Sequence, residues 1–303
     1  MEIIMDETLP CLLNYRKLKE PISSAIEEIT GLQDRAKSAE NDEILLHGIT
    51  VLGLAYYEVG LGDSLRYYLR HFPYKLKDSE IKFSKDVFIG EQFDLLEKAI
   101  DKFITSAAYK NFRDFQKSFI ETTSIEPDWK ENDLAKAQEF CARRNLLIHN
   151  RLKVNDAYQE SSGLDKPPAK GTTLKIDSKY IDEAFAALLR ILALIEISLE
   201  KTYAQYTRIK AIRELWKYLF KSPVMPFEDF WGVDEEDDRI SYCRTSPHED
   251  ALSGAEKRML GLWRSHFNGQ GEFLKDFNMR LFDRGNQTKV LYFLAWNREH
   301  LFG

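Results

Sequence analysis

Cysteine is scarce in this chain. Cys11, Cys141 and Cys243 are the only three in 303 residues. They are odd in number, widely separated and never spaced C-x-x-C, which argues against a disulfide framework and a cysteine zinc site. Such usage fits a reducing, cytoplasmic compartment. Phosphate-cradling glycine motifs are missing as well: there is no G-x-x-x-x-G-K-[ST] and no G-x-G-x-x-G. Neither H-E-x-x-H nor a G-x-S-x-G elbow occurs, and the six histidines are scattered. Metal hydrolases, P-loop enzymes, kinases and α/β-hydrolases are therefore disfavoured, and no metal and no cofactor are expected. The start, Met1 to Glu7, is acidic where a secretory leader would be basic. The apolar run from Ala184 to Leu199 carries Arg190 and Glu196, and reads as a buried helix and not a membrane span. An excess of positive charge is also lacking. Lys plus Arg is 43, Asp plus Glu is 49, and the formal net charge is −6. That argues against a protein that coats DNA by charge alone, while leaving room for a local basic groove for RNA.

What is present is helical period. With 44% hydrophobic and 30% charged residues, the composition is that of an ordinary globular protein. Apolar residues recur at three-and-four spacing from Leu9 to Lys37, where Pro21 is expected to interrupt the helix. Ile44 to Phe72 is a second helical segment, closed by Pro73. Phe88 to Phe119 reads as a third. Asp128 with Glu131 three residues on resembles a capping box that opens a helix running to His149. Residues Ser161 to Thr173 read as a loop, Thr172 to Ile176 as one short extended piece, and Asp177 as the cap of a helix from Ser178 to Tyr206. Past that point the texture changes. Pro223, Pro226, Pro247 and the acidic run from Asp234 to Asp238 read as solvated loop. The last fifty residues look helical again, with Trp263, Phe273, Phe277 and Trp296 on apolar faces that serve as core or as a surface for an inhibitor, sensor or other partner. The expected fold is all-α, with one domain over residues 1–206 and a mostly helical region over 207–303.

One segment concentrates chemistry. Residues 141–150 read Cys-Ala-Arg-Arg-Asn-Leu-Leu-Ile-His-Asn. At about 100° per residue, Asn145 and His149 share a helix face and Arg144 lies next to Asn145. Such a cation and imidazole suit RNA cleavage without a metal. The 2′-hydroxyl of RNA is a built-in nucleophile, histidine exchanges its proton near neutrality, and arginine forks two donors onto phosphate oxygens. Spacing alone is weak evidence. With 18 arginines and six histidines, roughly one Arg-x(4–6)-His match is expected by chance. A second match, Arg66 with His71, stands where Pro73 ends a helix, and there His71 reads as a C-terminal residue facing the helix dipole.

Context distinguishes the first match. Arg-Arg-Asn-Leu-Leu-Ile-His-Asn at 143–150 resembles the signature of the HEPN superfamily of helical ribonucleases: arginine, a polar residue, apolar residues, then histidine, often followed by asparagine. The flank Arg151-Leu-Lys-Val-Asn-Asp-Ala-Tyr158, the piece Leu174-Lys-Ile-Asp-Ser-Lys-Tyr180 and the long helix after it are similar to bacterial members. The helix from Ile44 to Arg70 with its lone Glu58 looks like the superfamily's opening helix. The resemblance spans about residues 40–205. It implies a bundle of about four helices that dimerises, so that two Arg/His pairs meet in one cleft. It further implies metal-independent endoribonuclease activity with Arg144 and His149 catalytic and Asn145 as polar helper, in a bacterial toxin or anti-phage setting. An antitoxin, sensor or other defence protein would be the partner.

Around these stand supporting candidates. Arg143 also fits the permitted spacing, and Asn150 completes the string. Glu58, if buried, needs a cation, and Arg144 or Arg143 could provide it. Tyr158 could stack a base or support the site. Lys153, Lys166 and Lys170 are candidate phosphate contacts or solvated loop charges. The alternative to the ribonuclease is a non-catalytic helical module that binds a protein or RNA partner.

Overall fold

The computed structural model describes residues 11–39, 42–76, 92–108, 111–220, 226–236, 239–242, 252–267 and 289–290. The apolar positions Phe273, Phe277 and Trp296 lie outside them, as do Cys243 and the acidic N-terminus. Among the described residues the protein is all-α apart from one small hairpin and one isolated bridge. It divides into two compact units, Tyr15–Gln205 and a second made of Met1–Asn14 with Tyr206–Gly303. Leu12, just before α1, accordingly belongs to the core of the C-terminal unit.

The larger unit begins with α1 (Tyr15–Ser38) and α2 (Glu43–His71). In α1 the apolar residues Leu18, Ile22, Ala25, Ile29 and Leu32 form one buried stripe, as the three-and-four spacing dictates. Contrary to the sequence expectation, α1 runs through Pro21 without stopping. The second helix supports it there: Ser64 Oγ donates to the Leu18 carbonyl at 2.8 Å, in the turn that precedes the proline. Helix α2 is capped by Asp42, whose carboxylate accepts from the Leu45 amide at 3.0 Å, and it stops before Pro73. Two glycines let its backbone come close to its neighbours. A Cβ on Gly60 would lie 2.7 Å from the Ala25 methyl of α1 and 3.0 Å from the Pro21 carbonyl oxygen. One on Gly53 would lie 2.2 Å from the ring of Phe185.

Where one helix was expected between Phe88 and Phe119, the described residues form two, α3 (Gln92–Ala108) and α4 (Phe112–Thr123). Asn111 caps α4 by accepting from the Asp114 amide at 3.0 Å. Next comes α5 (Glu131–Asn150), and its start corrects the expected capping box. The cap position is Lys130, with no side-chain bond. Asp133 in the first turn is instead buried and held by both prongs of Arg190, at 2.7 and 3.1 Å, which keeps its carboxyl below the usual range. Glu131 pairs with Arg113. These ties lie far apart in sequence, and Asp128 stays in the preceding loop.

A short helix, α6 (Asp156–Ser161), follows, and then α7 (Ser178–Tyr203), capped by Asp177 at 2.7 Å from the Tyr180 amide. The extended piece expected at 172–176 pairs with the chain just after α5. The Val154 amide donates to the Thr172 carbonyl at 2.8 Å and the Leu174 amide to the Leu152 carbonyl at 2.9 Å.

In the second unit, α8 (Arg208–Leu219) is capped by Thr207 and α9 spans Gly254–Phe267. Between them lies an antiparallel hairpin, β1 (Trp231–Asp234) and β2 (Arg239–Tyr242), that sequence reading missed. The acidic run begins at the end of β1 and leads into the turn, where Glu235 pairs with Arg213 of α8 at 2.9 Å. Trp216 centres the core of this unit, with Phe220, Phe230 and Trp263 rings at 4.3, 5.1 and 5.2 Å. Aromatic packing of this kind explains the apolar texture that the sequence shows there.

Among the described residues, α2 alone is long and apolar enough by length and composition to cross a membrane. Part of the apolarity of α2 is core: Leu54, Tyr57, Leu61 and Leu65 are fully buried. The rest is an exposed stripe, Ile44, Leu45, Leu52 and Val59.

Candidate active site on helix α5

The residues of the arginine-histidine string sit on the last two turns of α5 and divide into three groups. Arg144 turns toward α2. Its Nη2 donates to Glu58 Oε1 at 2.7 Å, so of the two arginines considered for Glu58 the structure selects Arg144. Both side chains are partly covered, at 20% and 34% exposure. Burial pushes the Glu58 carboxyl up, and the Arg144 cation works against that shift. The Arg144 Nε is buried without a hydrogen-bond partner. Behind the pair, burial raises the Cys141 thiol to about 11, so it stays protonated.

Arg143 is committed elsewhere. Its Nε donates to Glu139 Oε1 at 2.8 Å and its Nη1 to the Lys175 carbonyl at 2.9 Å. The guanidinium stacks on the Tyr180 ring, 3.9 Å from its centre. Glu139 is itself buried and also accepts from the hydroxyls of Tyr158 at 2.6 Å and Tyr180 at 2.7 Å. Burial and then the neighbouring carboxylate raise both tyrosines, so both hydroxyls remain donors. This knot ties α6 and the start of α7 to the middle of α5. Tyr158 is buried among Ala142, Leu146 and Val154, which leaves its ring no face for a base; its position allows the supporting role. Sequence reasoning missed Glu139 and Tyr180. The four-residue spacing from Glu139 to Arg143 was the available signal.

Asn145 and His149 form the third group. Both are exposed, about 40° apart round the helix, and neither has a hydrogen-bond partner among the described residues. Ile148, between them and Arg144, is 48% exposed. Arg144 and His149 are about 140° apart round the axis and ~7.5 Å along it. Asn150 closes the helix end by donating to the Lys153 carbonyl. Of the lysines, Lys170 is paired with Asp156, while Lys153 and Lys166 are exposed.

The second arginine-histidine match has a different character. His71 is largely buried and its Nδ1 is 2.9 Å from the Tyr67 carbonyl. Burial, and then the Arg70 cation, lower its pKa, the reverse of what a helix C-terminus would do. Its folded value lies below the unfolded one, ~6.5, so its contribution to stability is present above that pH and is lost as pH falls through the folded value. Wild-type protein is expected to lose denaturant resistance between pH 7 and pH 5, and His71→Gln to lose less over that range. Parallel pH profiles of the two would place the buried imidazole elsewhere.

Among the described residues no three His, Cys, Asp or Glu side chains gather into a group that could hold a metal ion. Comparison with known proteins finds no matching family model, no matching curated protein and no matching solved structure.

Proposed function

We propose that the protein is a metal-independent endoribonuclease of the HEPN type, acting as a homodimer in a bacterial toxin or anti-phage system. The observation that carries the reading is the arrangement on α5: an arginine held in place by a carboxylate from another helix, and an exposed histidine five residues on with nothing occupying it. His149 takes the proton from a ribose 2′-hydroxyl, and that oxygen attacks the adjacent phosphorus. The bond from phosphorus to the 5′ oxygen breaks, and the second copy's imidazole, protonated, supplies the leaving group with its proton. Arg144 places its remaining donors on the phosphate oxygens as charge develops there. Two copies are needed because Arg144 and His149 project from different sides of one helix. The exposed stripe on α2 supports that pairing. Leu45, Leu52 and Val59 recur every seven residues with Gly48 and Ala55 between them, a seam along which a second α2 can lie.

Cleavage is expected to persist in chelator, to leave a 2′,3′-cyclic phosphate and to spare DNA. End-group analysis of a labelled RNA checks all three. Loss of cleavage in chelator, or DNA cut at a comparable rate, counts against the site. One feature favours the alternative of a non-catalytic binding module: no side chain of the described chain orients the His149 ring. Expression in a bacterial host separates the two. A nuclease harms growth and His149→Ala relieves the harm; a binding module gives equal growth for both.

A further inference from the structure

The turn that follows His149 closes α5 in left-handed backbone, with the Leu152 amide donating to the Leu146 carbonyl at 3.1 Å. Arg151 and Leu152 both adopt left-handed backbone, with φ of 49° and 62°. Each such non-glycine residue is strained, and a helix end of this kind usually takes glycine. Leu152 accounts for itself, because its side chain is buried. Arg151 is the left-handed cap itself, its amide donating to the Leu146 carbonyl; its side chain is exposed and has no partner among the described residues.

From Lys153 the chain pairs with the segment around Thr173. Leu152 and Val154 are buried, whereas Arg151 and Lys153 are exposed. On the paired segment Leu174 and Ile176 cover the core, so Thr173 and Lys175 point out on the same side. The Lys153 to Thr173 bridge fixes the register of the two segments, and the Lys153 stem lies over the Gly171 backbone, 3.9 Å from the position a Cβ would take. Lys175 is anchored through its carbonyl to Arg143. None of Arg151, Lys153 and Lys175 is neutralised by a carboxylate among the described residues. The nearby acids are used: Asp156 pairs with Lys170, and Asp177 caps α7.

We infer that Arg151, Lys153 and Lys175 form a phosphate-binding track that carries the single-stranded RNA backbone away from His149. The inference rests on the ribonuclease reading for the identity of the polyanion. The track starts two residues after His149, at most ~7 Å from it between Cα atoms by chain length. In a chain of net charge −6, three exposed cations without a carboxylate partner among the described residues make a local field of the opposite sign.

The test uses the full chain with His149→Ala, so that binding is read without cleavage. A labelled single-stranded RNA is titrated by fluorescence anisotropy at several salt concentrations. Adding Arg151→Gly, Lys153→Ala and Lys175→Ala together is expected to weaken binding at least 10-fold at low salt. The log–log salt slope should fall by about 2, at ~0.7 per lost phosphate contact. Arg151→Gly alone should weaken binding several-fold while the melting temperature stays the same or rises. Unchanged RNA affinity in the triple variant overturns the track, and so does the absence of RNA binding by the parent. A melting temperature lowered by Arg151→Gly makes that arginine structural and removes it from the track. If anionic phosphatidylserine vesicles lose affinity in the triple variant while RNA does not, the face belongs to a membrane. Cleavage assays on the chain with His149 intact separate the two readings. RNA bound but left uncut overturns the nuclease and leaves the track. Cleavage with unchanged KM in the triple variant does the reverse.

Discussion

Replacing Arg144 by lysine is expected to slow cleavage nearly as much as replacing it by alanine, on the order of 10²-fold or more, as for removal of one preorganised transition-state donor. Nη2 of Arg144 already serves Glu58, and Nε is buried. What remains for phosphate is the outer fork of a planar group whose orientation the carboxylate sets. A lysine at this position has one ammonium and no second prong, so it must choose between Glu58 and the substrate. His149→Ala should fall at least as far, since it removes the proton carrier. Neither change should unfold the protein. His149 is exposed, and Glu58 is a third exposed at 34%, so losing the ion pair costs only about 1 kcal/mol. Initial rates and melting temperatures of the three variants, measured side by side, decide the matter. A lysine variant within a few-fold of wild type sinks the forked contact. A large fall in melting temperature moves these residues to a structural role.

Glu139→Ala is expected to be among the most destabilising single changes outside the apolar core. The carboxylate takes donors from Arg143, Tyr158 and Tyr180. Removing it strands a mostly covered guanidinium, 17% exposed, and two hydroxyls. Breaking a buried charge pair from one side typically costs about 3–5 kcal/mol, which lowers the melting temperature by about 10 °C for a chain of this size. Arg143→Ala should cost less, because the two tyrosines still hold Glu139 and the group left behind retains two donors. The contrast with Arg144 is the point. Alanine at 143 should act on stability first, alanine at 144 on rate first. Denaturant unfolding of both variants checks this, and equal stability loss at the two positions would show that the division is wrong.

Helix positions were legible because apolar spacing is local, and so were stops such as Pro73 and caps such as Asp177. What sequence reading got wrong depended on distant residues. Pro21 survives inside α1 because Ser64 and Gly60 of another helix fit against that turn. The start of α5 is set by Arg190, 57 residues away from Asp133. The hairpin is held by rings that meet Trp216 only after folding. At the candidate site the arginine-histidine string announced itself, whereas the sorting of its two arginines did not. Their sequence positions are equivalent; only the placement of Glu58 and Glu139 sends one to α2 and the other into the knot.

The two glycine contacts of α2 have a mechanical consequence. Gly53 and Gly60 are seven residues apart, so they lie on nearly the same side of the helix, one against Phe185 and one against Ala25 and Pro21. Each works as a notch into which one neighbour fits. A helix held by two notches two turns apart is locked against sliding along its own axis, since a shift of one turn, about 5.4 Å, would drive side chains into both neighbours at once. Glu58 lies between the notches. Its height along the bundle, and through it that of the Arg144 guanidinium, is thus set by packing on α1 and α7, neither of which carries a residue of the proposed catalytic pair.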